Sequence, residues 1–190
     1  MALPKSVETP RGLELMAKVK AADPAMKDWP SPTKDDYLLI GGIMVLYSYG
    51  EYNPRRLVEV FDHAGKLPTK LMKKAGNLEV GEVEKAVRSA TIWTDPSGQS
   101  ALDRLAELRP LRNLVAHFIV RRFPEDDAFL FMTKSTRDYK RVFGKDPEPR
   151  AAMMAVIERK EIAKVLKEIQ HIHSWLAKIA PEFEKRLLPP

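Results

Sequence analysis

Residues 111–118 read Leu-Arg-Asn-Leu-Val-Ala-His-Phe, which places Arg112, Asn113 and His117 on an apolar background. Arg can grip a phosphate, Asn can orient a neighbour, and His can move a proton near neutral pH. On a helix, Asn113 and His117 stand four residues apart on one face. That spacing predicts a hydrogen bond from Asn113 that selects the imidazole tautomer. Arg112 lies about 140° round the axis from His117, so one copy of the helix makes an incomplete phosphate site. Two copies across a two-fold axis would supply two Arg and two His to one groove. Metal-free RNA cleavage asks for such a set. It needs a base for the 2′-hydroxyl, an acid for the leaving oxygen, and a cation for the charge that develops on phosphorus.

The plain alternative is that a His ending an apolar helix is structural, capping carbonyls and complementing the dipole. Chance supplies Arg followed five residues later by His about 0.3 times in a chain of this composition, and requiring Asn after the Arg lowers that to about 0.005. Other candidates are weaker. The carboxylates are scattered and no two His stand four apart, so no metal site and no cofactor are expected. His171 and His173, two apart on a helix, point to different faces and read as structural or solvent-facing. Trp29, Trp93 and Trp175 fall in three separate segments and suit core or interface packing. Arg121 and Arg122 read as a solvated strand edge, with extension of a phosphate groove as the alternative. Lys66 to Lys74 reads as a solvated connector, with contact to an RNA backbone as the alternative.

The elements that must hold these residues follow from composition and periodicity. A chain of 190 residues, 44% hydrophobic and 31% charged, can bury one substantial core. With no Cys, disulfides, thiolate chemistry and Cys-based zinc sites are excluded. The N-terminus lacks the long apolar segment of a signal peptide, and the apolar run Tyr37 to Tyr49 is too short to span a bilayer. A cytoplasmic protein with no membrane partner is expected. Net charge of +6 permits an anionic partner such as RNA or a nucleotide.

Residues 1–33 carry five prolines and form a Pro-rich arm that either packs on the domain or stays mobile. A short helix from Arg11 to Ala22 would turn Leu13, Met16, Ala17 and Val19 inward. The helical domain spans 34–190. Its first long helix starts at Thr33 as N-cap, with Asp35 and Asp36 complementing the dipole and Gly41 and Ser48 offering close helix contact. Asn53-Pro54 then makes either a kink or a second helix capped by Asn53, closed by Gly65. A second helix covers Glu79 to Ile92, and 94–98 is a break. A third runs from a cap at Ser100 to His117, with Leu102, Leu105, Leu108, Leu111 and Val115 as its stripe and a kink at Pro110. A small antiparallel β insertion around 118–157 follows: a hairpin of 119–123 and 129–133, a charged loop 134–150, and a third strand or helix at 151–157. The last helix repeats Ile162, Val165, Ile169, Ile172, Leu176 and Ile179 at helical spacing. The fold class is mainly α, a bundle of four to five helices with a β insertion between the third and last long helices.

Arg112-Asn113-Leu114-Val115-Ala116-His117 resembles the Arg-x4-6-His motif of the HEPN superfamily (higher eukaryotes and prokaryotes nucleotide-binding), many members of which carry Asn directly after the Arg. The long first helix and a motif near the end of a later helix are similar to that four- or five-helix bundle. The likeness covers about residues 34 to 180, with its specific signal in six of them. It implies a homodimer with the motif at the interface. Catalytic members are metal-independent ribonucleases of toxin, phage-defence or RNA-processing systems. By this likeness Arg112 and His117 are catalytic and Asn113 supports them. Glu51 and Tyr52 fall where relatives often place a polar residue facing the motif. A toxin-like member would sit beside an antitoxin or a nucleotidyltransferase. Two alternatives stay open: a non-catalytic module that binds a nucleotide or a partner, and a basic helical interaction protein whose Arg and His are structural.

Overall fold

The computed structural model describes residues 10–22, 29–72, 75–123, 125–148 and 153–188. The chain is mainly helical with one small antiparallel sheet, in the order α1 (Pro10–Ala21), α2 (Lys34–His63), α3 (Thr69–Met72), a 3-10 turn (Ala75–Asn77), α4 (Val80–Ser89), α5 (Pro96–His117), β1 (Ile119–Phe123), β2 (Ala128–Met132), α6 (Thr136–Phe143), β3 (Met154–Glu158) and α7 (Arg159–Leu187). It packs as two compact units. One joins Met1–Met44 to Glu107–Lys167, and the other joins Val45–Ala106 to Glu168–Pro190. Among the described residues, no helix is long and apolar enough to cross a membrane.

The first unit is built on the sheet, with β2 central and antiparallel to both β1 and β3. The β2 sequence Ala-Phe-Leu-Phe-Met is apolar at every position because both faces are covered, and Ala128 to Phe131 are buried. One face packs Phe123, Ala128, Leu130 and Val156 against Leu15, Val19 and Trp29. The described part of the Pro-rich arm is therefore a layer of this core. Trp29 lies 5.1 Å from Phe123 between ring centroids. Arg11 and Lys18 fasten α1 further by pairing with Asp126 in the hairpin turn, and Arg11 also reaches Glu158. The inward face of α1 corrects the expected one: Gly12, Leu15 and Val19 are buried, whereas Leu13 and Ala17 are exposed. The sheet selects this face, because only the 12-15-19 stripe presents both a flat glycine and branched side chains to it.

Helix starts and stops also differ from expectation. Ser135 accepts a hydrogen bond from Asp138 N–H at 3.1 Å, and Gly144 adopts φ 70°. That N-cap and left-handed C-terminus turn part of the expected 134–150 loop into α6. The third strand covers Met154–Glu158, one residue past the end of the expected segment. Helix α5 begins at Pro96 rather than Ser100, since Asp95 accepts from Ser97 N–H at 2.8 Å and Pro96 suits the first helical position. The expected break at 94–98 is thus the N-terminus of the motif helix.

In the second unit, α2 runs unbroken through Pro54, with Asn53 inside it rather than capping a new helix. The lost N–H bond at Pro54 is outweighed by the fully buried Tyr47, Leu57 and Phe61 that pin the axis on both sides. The Tyr47 hydroxyl donates to the Leu105 carbonyl at 2.8 Å. Helix α2 ends as expected at Gly65, φ 64°, where Lys66 N–H reaches back to the Phe61 carbonyl. Helix α4 is shorter than expected, ending at Ser89, and its start is closed by Glu79 N–H donating to Glu82. The close helix approaches fall at Gly42, against Leu166 in the first unit, and at Gly50, against Leu105 in the second. Gly41 and Ser48, expected in that role, are exposed. Gly98 packs under Trp93 and Trp175, and an added Cβ would overlap the Trp93 indole. The two indoles meet edge to face at 6.1 Å beside Phe61 and Phe183.

Candidate functional site

The Arg112 stretch occupies the last two turns of α5, in the first unit. Helix α5 is held inward by Leu102, Leu105, Leu108, Leu111 and Leu114, all buried, and Phe118 follows as a buried side chain just past its end. The inward stripe continues through Leu114 and on to Phe118, four residues further, so the buried side of the last turns is turned away from Val115, which is half-buried. This rotation decides what the motif presents. Arg112 and Asn113 are half-buried, while Ala116 and His117 are exposed.

The expected bond between Asn113 and His117 is not formed. Arg112 Nη1 instead donates to Asn113 Oδ1 at 3.1 Å. A guanidinium is the stronger donor, so the carboxamide oxygen goes to the charge beside it rather than to an imidazole one turn on. The His117 imidazole makes no hydrogen bond among the described residues and reaches solvent. It caps no carbonyl, which is the role a structural His at a helix end would play. The stretch thus offers a cation with its own oriented acceptor, and a separate imidazole open to whatever approaches the end of α5. Helix α5 runs without a break through Pro110, and Arg112 and His117 both follow it on one helix at the wide angular separation that their spacing dictates.

The neighbouring arginines are engaged locally. Arg121 Nη1 donates to Ser31 Oγ at 2.7 Å. Arg122 donates through Nη1 to Asp36 Oδ1 at 3.0 Å and through Nη2 to Asp127 Oδ1 at 2.9 Å, and its guanidinium lies over the Phe129 ring. Arg122 also lines an open recess of about 440 Å³ with Pro30, Ser31, Thr33 and the turn carboxylates 125–127. Glu51 and Tyr52 lie in the middle of the 30-residue α2, not at its end, and belong to the second unit. Glu51 borders a cavity of about 10 Å³, and Tyr52 is exposed. That volume holds roughly one water. Trp29 and Trp93 are core residues of their respective units. Among the described residues, no group of three or more His, Asp or Glu side chains is placed to hold a metal ion.

Two arrangements have no counterpart in the sequence reading. Asp36, expected only to complement the α2 dipole, is 1% exposed and binds two elements to a third. Its carboxylate accepts from Thr33 N–H at 2.9 Å, from the Thr33 hydroxyl at 2.8 Å, from Arg122, and from Arg159 Nε at 3.1 Å. Burial pushes this carboxyl up, but the hydrogen bonds from Thr33 and Arg159 and the charge of Arg122 together hold it below the usual range. The readable signal was Thr-x-x-Asp at a helix start, a capping box with Asp in place of Glu. Its two arginine partners lie 86 and 123 residues away and leave no local mark. In the second unit, the buried Asn53 amide approaches His173 Nδ1 at 3.2 Å, and Tyr49 stacks on that imidazole at 5.1 Å. His173 is therefore packed and hydrogen-bonded, while His171 is exposed.

A scan against family models and searches of curated proteins and of solved structures find no match to this chain.

Proposed function

We propose that the chain is a HEPN-like, metal-independent endoribonuclease of the toxin, phage-defence or RNA-processing type. In this reading it acts as a homodimer in which the ends of two α5 helices meet. The observation that carries the reading is the state of His117: exposed, free of structural hydrogen bonds among the described residues, and five residues from an Arg112 already oriented by Asn113. A structural His would be packed or would cap the helix. A catalytic one needs access.

The chemistry follows from the residues. One His117 takes the proton of a ribose 2′-hydroxyl as its oxygen attacks phosphorus. The protonated His117 of the second copy gives its proton to the 5′-oxygen as that P–O bond breaks. The Arg112 guanidiniums stabilise the charge on the equatorial oxygens. The products are a 2′,3′-cyclic phosphate and a 5′-hydroxyl, and no electrons are exchanged. Exposed Tyr37, Leu38 and Ile119, all in the unit that carries the motif, supply apolar surface that a second copy would cover.

The test compares wild type with His117→Ala on mixed RNA, with and without EDTA, and reads both cleavage and product ends. Loss of one general acid–base group should slow cleavage by about 10²–10⁴-fold, and EDTA should change nothing. Cleavage that survives the substitution, or that EDTA abolishes, rejects the proposal. A dimer that binds RNA or a nucleotide without ever cutting RNA returns the second reading, a non-catalytic binding module.

A further inference from the structure

We infer that α7 carries a track for the phosphodiester backbone of RNA, separate from the Arg112 and His117 stretch, with Lys160, Lys164 and Lys167 as its contacts in the first unit. The choice of RNA rests on the ribonuclease reading; the track itself rests on charge and exposure. Lys160, Lys164 and Lys167 are all exposed, and their spacing of four and three residues puts them on one stripe of the helix. The opposite stripe is committed to the core, since Ile162 is fully buried in this unit.

A solvated helix face ordinarily mixes signs, with Glu placed four residues before Lys. Here the three lysines adjoin one another and repel, with Glu161 and Glu168 on the flank of the stripe and Glu168 engaged by Arg104. Lys160 reaches Glu158 at 3.2 Å, but no carboxylate lies within ion-pair distance of Lys164 or Lys167 among the described residues. The sequence adds an independent asymmetry. Residues 107–167 hold fourteen Lys and Arg against nine Asp and Glu, which accounts for +5 of the chain's +6.

A line of cations about 10 Å long, rising 1.5 Å per residue, matches a linear polyanion rather than a point anion. A lipid surface fits less well. A helix lying in a membrane interface inserts an apolar face beside its lysines, and the apolar face of α7 is already inside the protein. Lysine ammonium groups without fixed geometry favour contact that ignores base sequence. The track would hold the strand and leave the selection of a cleavage position to other residues.

The test measures binding of single-stranded, fully 2′-O-methylated RNA to the wild-type chain across a salt series. Such RNA cannot undergo 2′-hydroxyl attack, so binding is read apart from cleavage. Loss of three phosphate contacts should lower the slope of log affinity against log salt by about two. The triple variant K160Q/K164Q/K167Q should show that drop, with at least tenfold weaker binding near physiological salt. A control variant, K20Q/K34Q/K85Q, removes equal charge from exposed positions on three other helices. It should lose less than half as much slope. Equal losses in the two variants overturn the track, because they report net charge alone. Binding of the wild type to phosphatidylserine vesicles or polyglutamate, but not to RNA, also overturns it. Cleavage of unmodified RNA is followed in parallel. Binding along the lysines without cutting rejects the nuclease and keeps the track, whereas cutting with unchanged binding in the triple variant does the reverse.

Discussion

Arg112 is oriented by the residue beside it: its Nη1 donates to the Asn113 carboxamide oxygen at 3.1 Å, and the imidazole of His117 stands apart from both. Asn is neutral, so this contact fixes the direction of the guanidinium without cancelling its charge. Asn113→Ala should therefore lower RNA cleavage by about tenfold, a loss of roughly 1.4 kcal/mol in transition-state binding, with little change in melting temperature. Asn113→Asp should lower cleavage at least as much, although a carboxylate is the better acceptor, because it cancels the charge of Arg112. Steady-state rates for the two variants decide the matter. An Asp variant that cuts as fast as wild type would assign Asn113 to packing.

Asp36 anchors the start of α2 to β1 and to the start of α7 through Arg122 and Arg159. Asp36→Ala removes a helix cap and the common acceptor of two cations. Those arginines are about a quarter and a third exposed, so solvent recovers part of the loss. Urea unfolding should show a destabilisation of about 2–3 kcal/mol. Asp36→Asn keeps an acceptor for Thr33 and should fall between that variant and wild type.

Acid sensitivity follows from the same carboxylates. Asp36 is held below its ordinary range as described above, and Asp126 is held there by hydrogen bonds from Lys18 and Arg11. A group whose native pKa is depressed binds fewer protons when folded, so its contribution is full above the unfolded value of about 3.9. It is lost as pH falls through the lower native value. The urea midpoint should be flat from pH 7 to about 5 on this account, then drop toward pH 2. Asp36→Ala should have a visibly shallower acid limb, and an identical limb would remove Asp36 from the explanation.

Gly98 has no room for a side chain beneath Trp93 and Trp175. Gly98→Ala must push the indoles apart, and overpacking of this kind typically destabilises by about 1–3 kcal/mol. An alanine here would ordinarily favour the helix, so a destabilised variant with altered tryptophan fluorescence isolates the steric effect. A variant as stable as wild type would mean that the aromatic cluster yields without loss.

The parts of the fold written in local patterns were readable. The α7 repeat, the hairpin of β1 and β2, the Thr33 start of α2 and its Gly65 end all follow from spacing and capping chemistry. Prolines left the rest ambiguous: Pro54 allowed one helix or two and sits within a single α2, and Pro96 opens α5 rather than breaking the chain. In both cases neighbouring contacts decide, and a proline alone does not report them. Helix α6 was missed although Ser135 and Asp138 stand at capping distance, because its charged sequence conceals a single buried anchor, Val142. The residue types of the Arg112 stretch were evident, but their pairing was not. Whether Asn113 turns to Arg112 or to His117 is a choice between two donors within reach of one carboxamide, and spacing alone does not rank them.

One buried residue, Phe118, is all that separates His117 from the first residue of β1. The joint between helix and strand has no slack. Strand side chains alternate between faces, so a one-residue slip of β1 after His117 would carry Ile119, Arg121 and Phe123 together to the opposite face of the sheet and take Phe123 out of its core. The imidazole thus inherits its position from the register of β1 against β2. Any ligand or second copy must come to the point where the backbone of His117 is held, since only the turning of the side chain itself can move the imidazole toward a target.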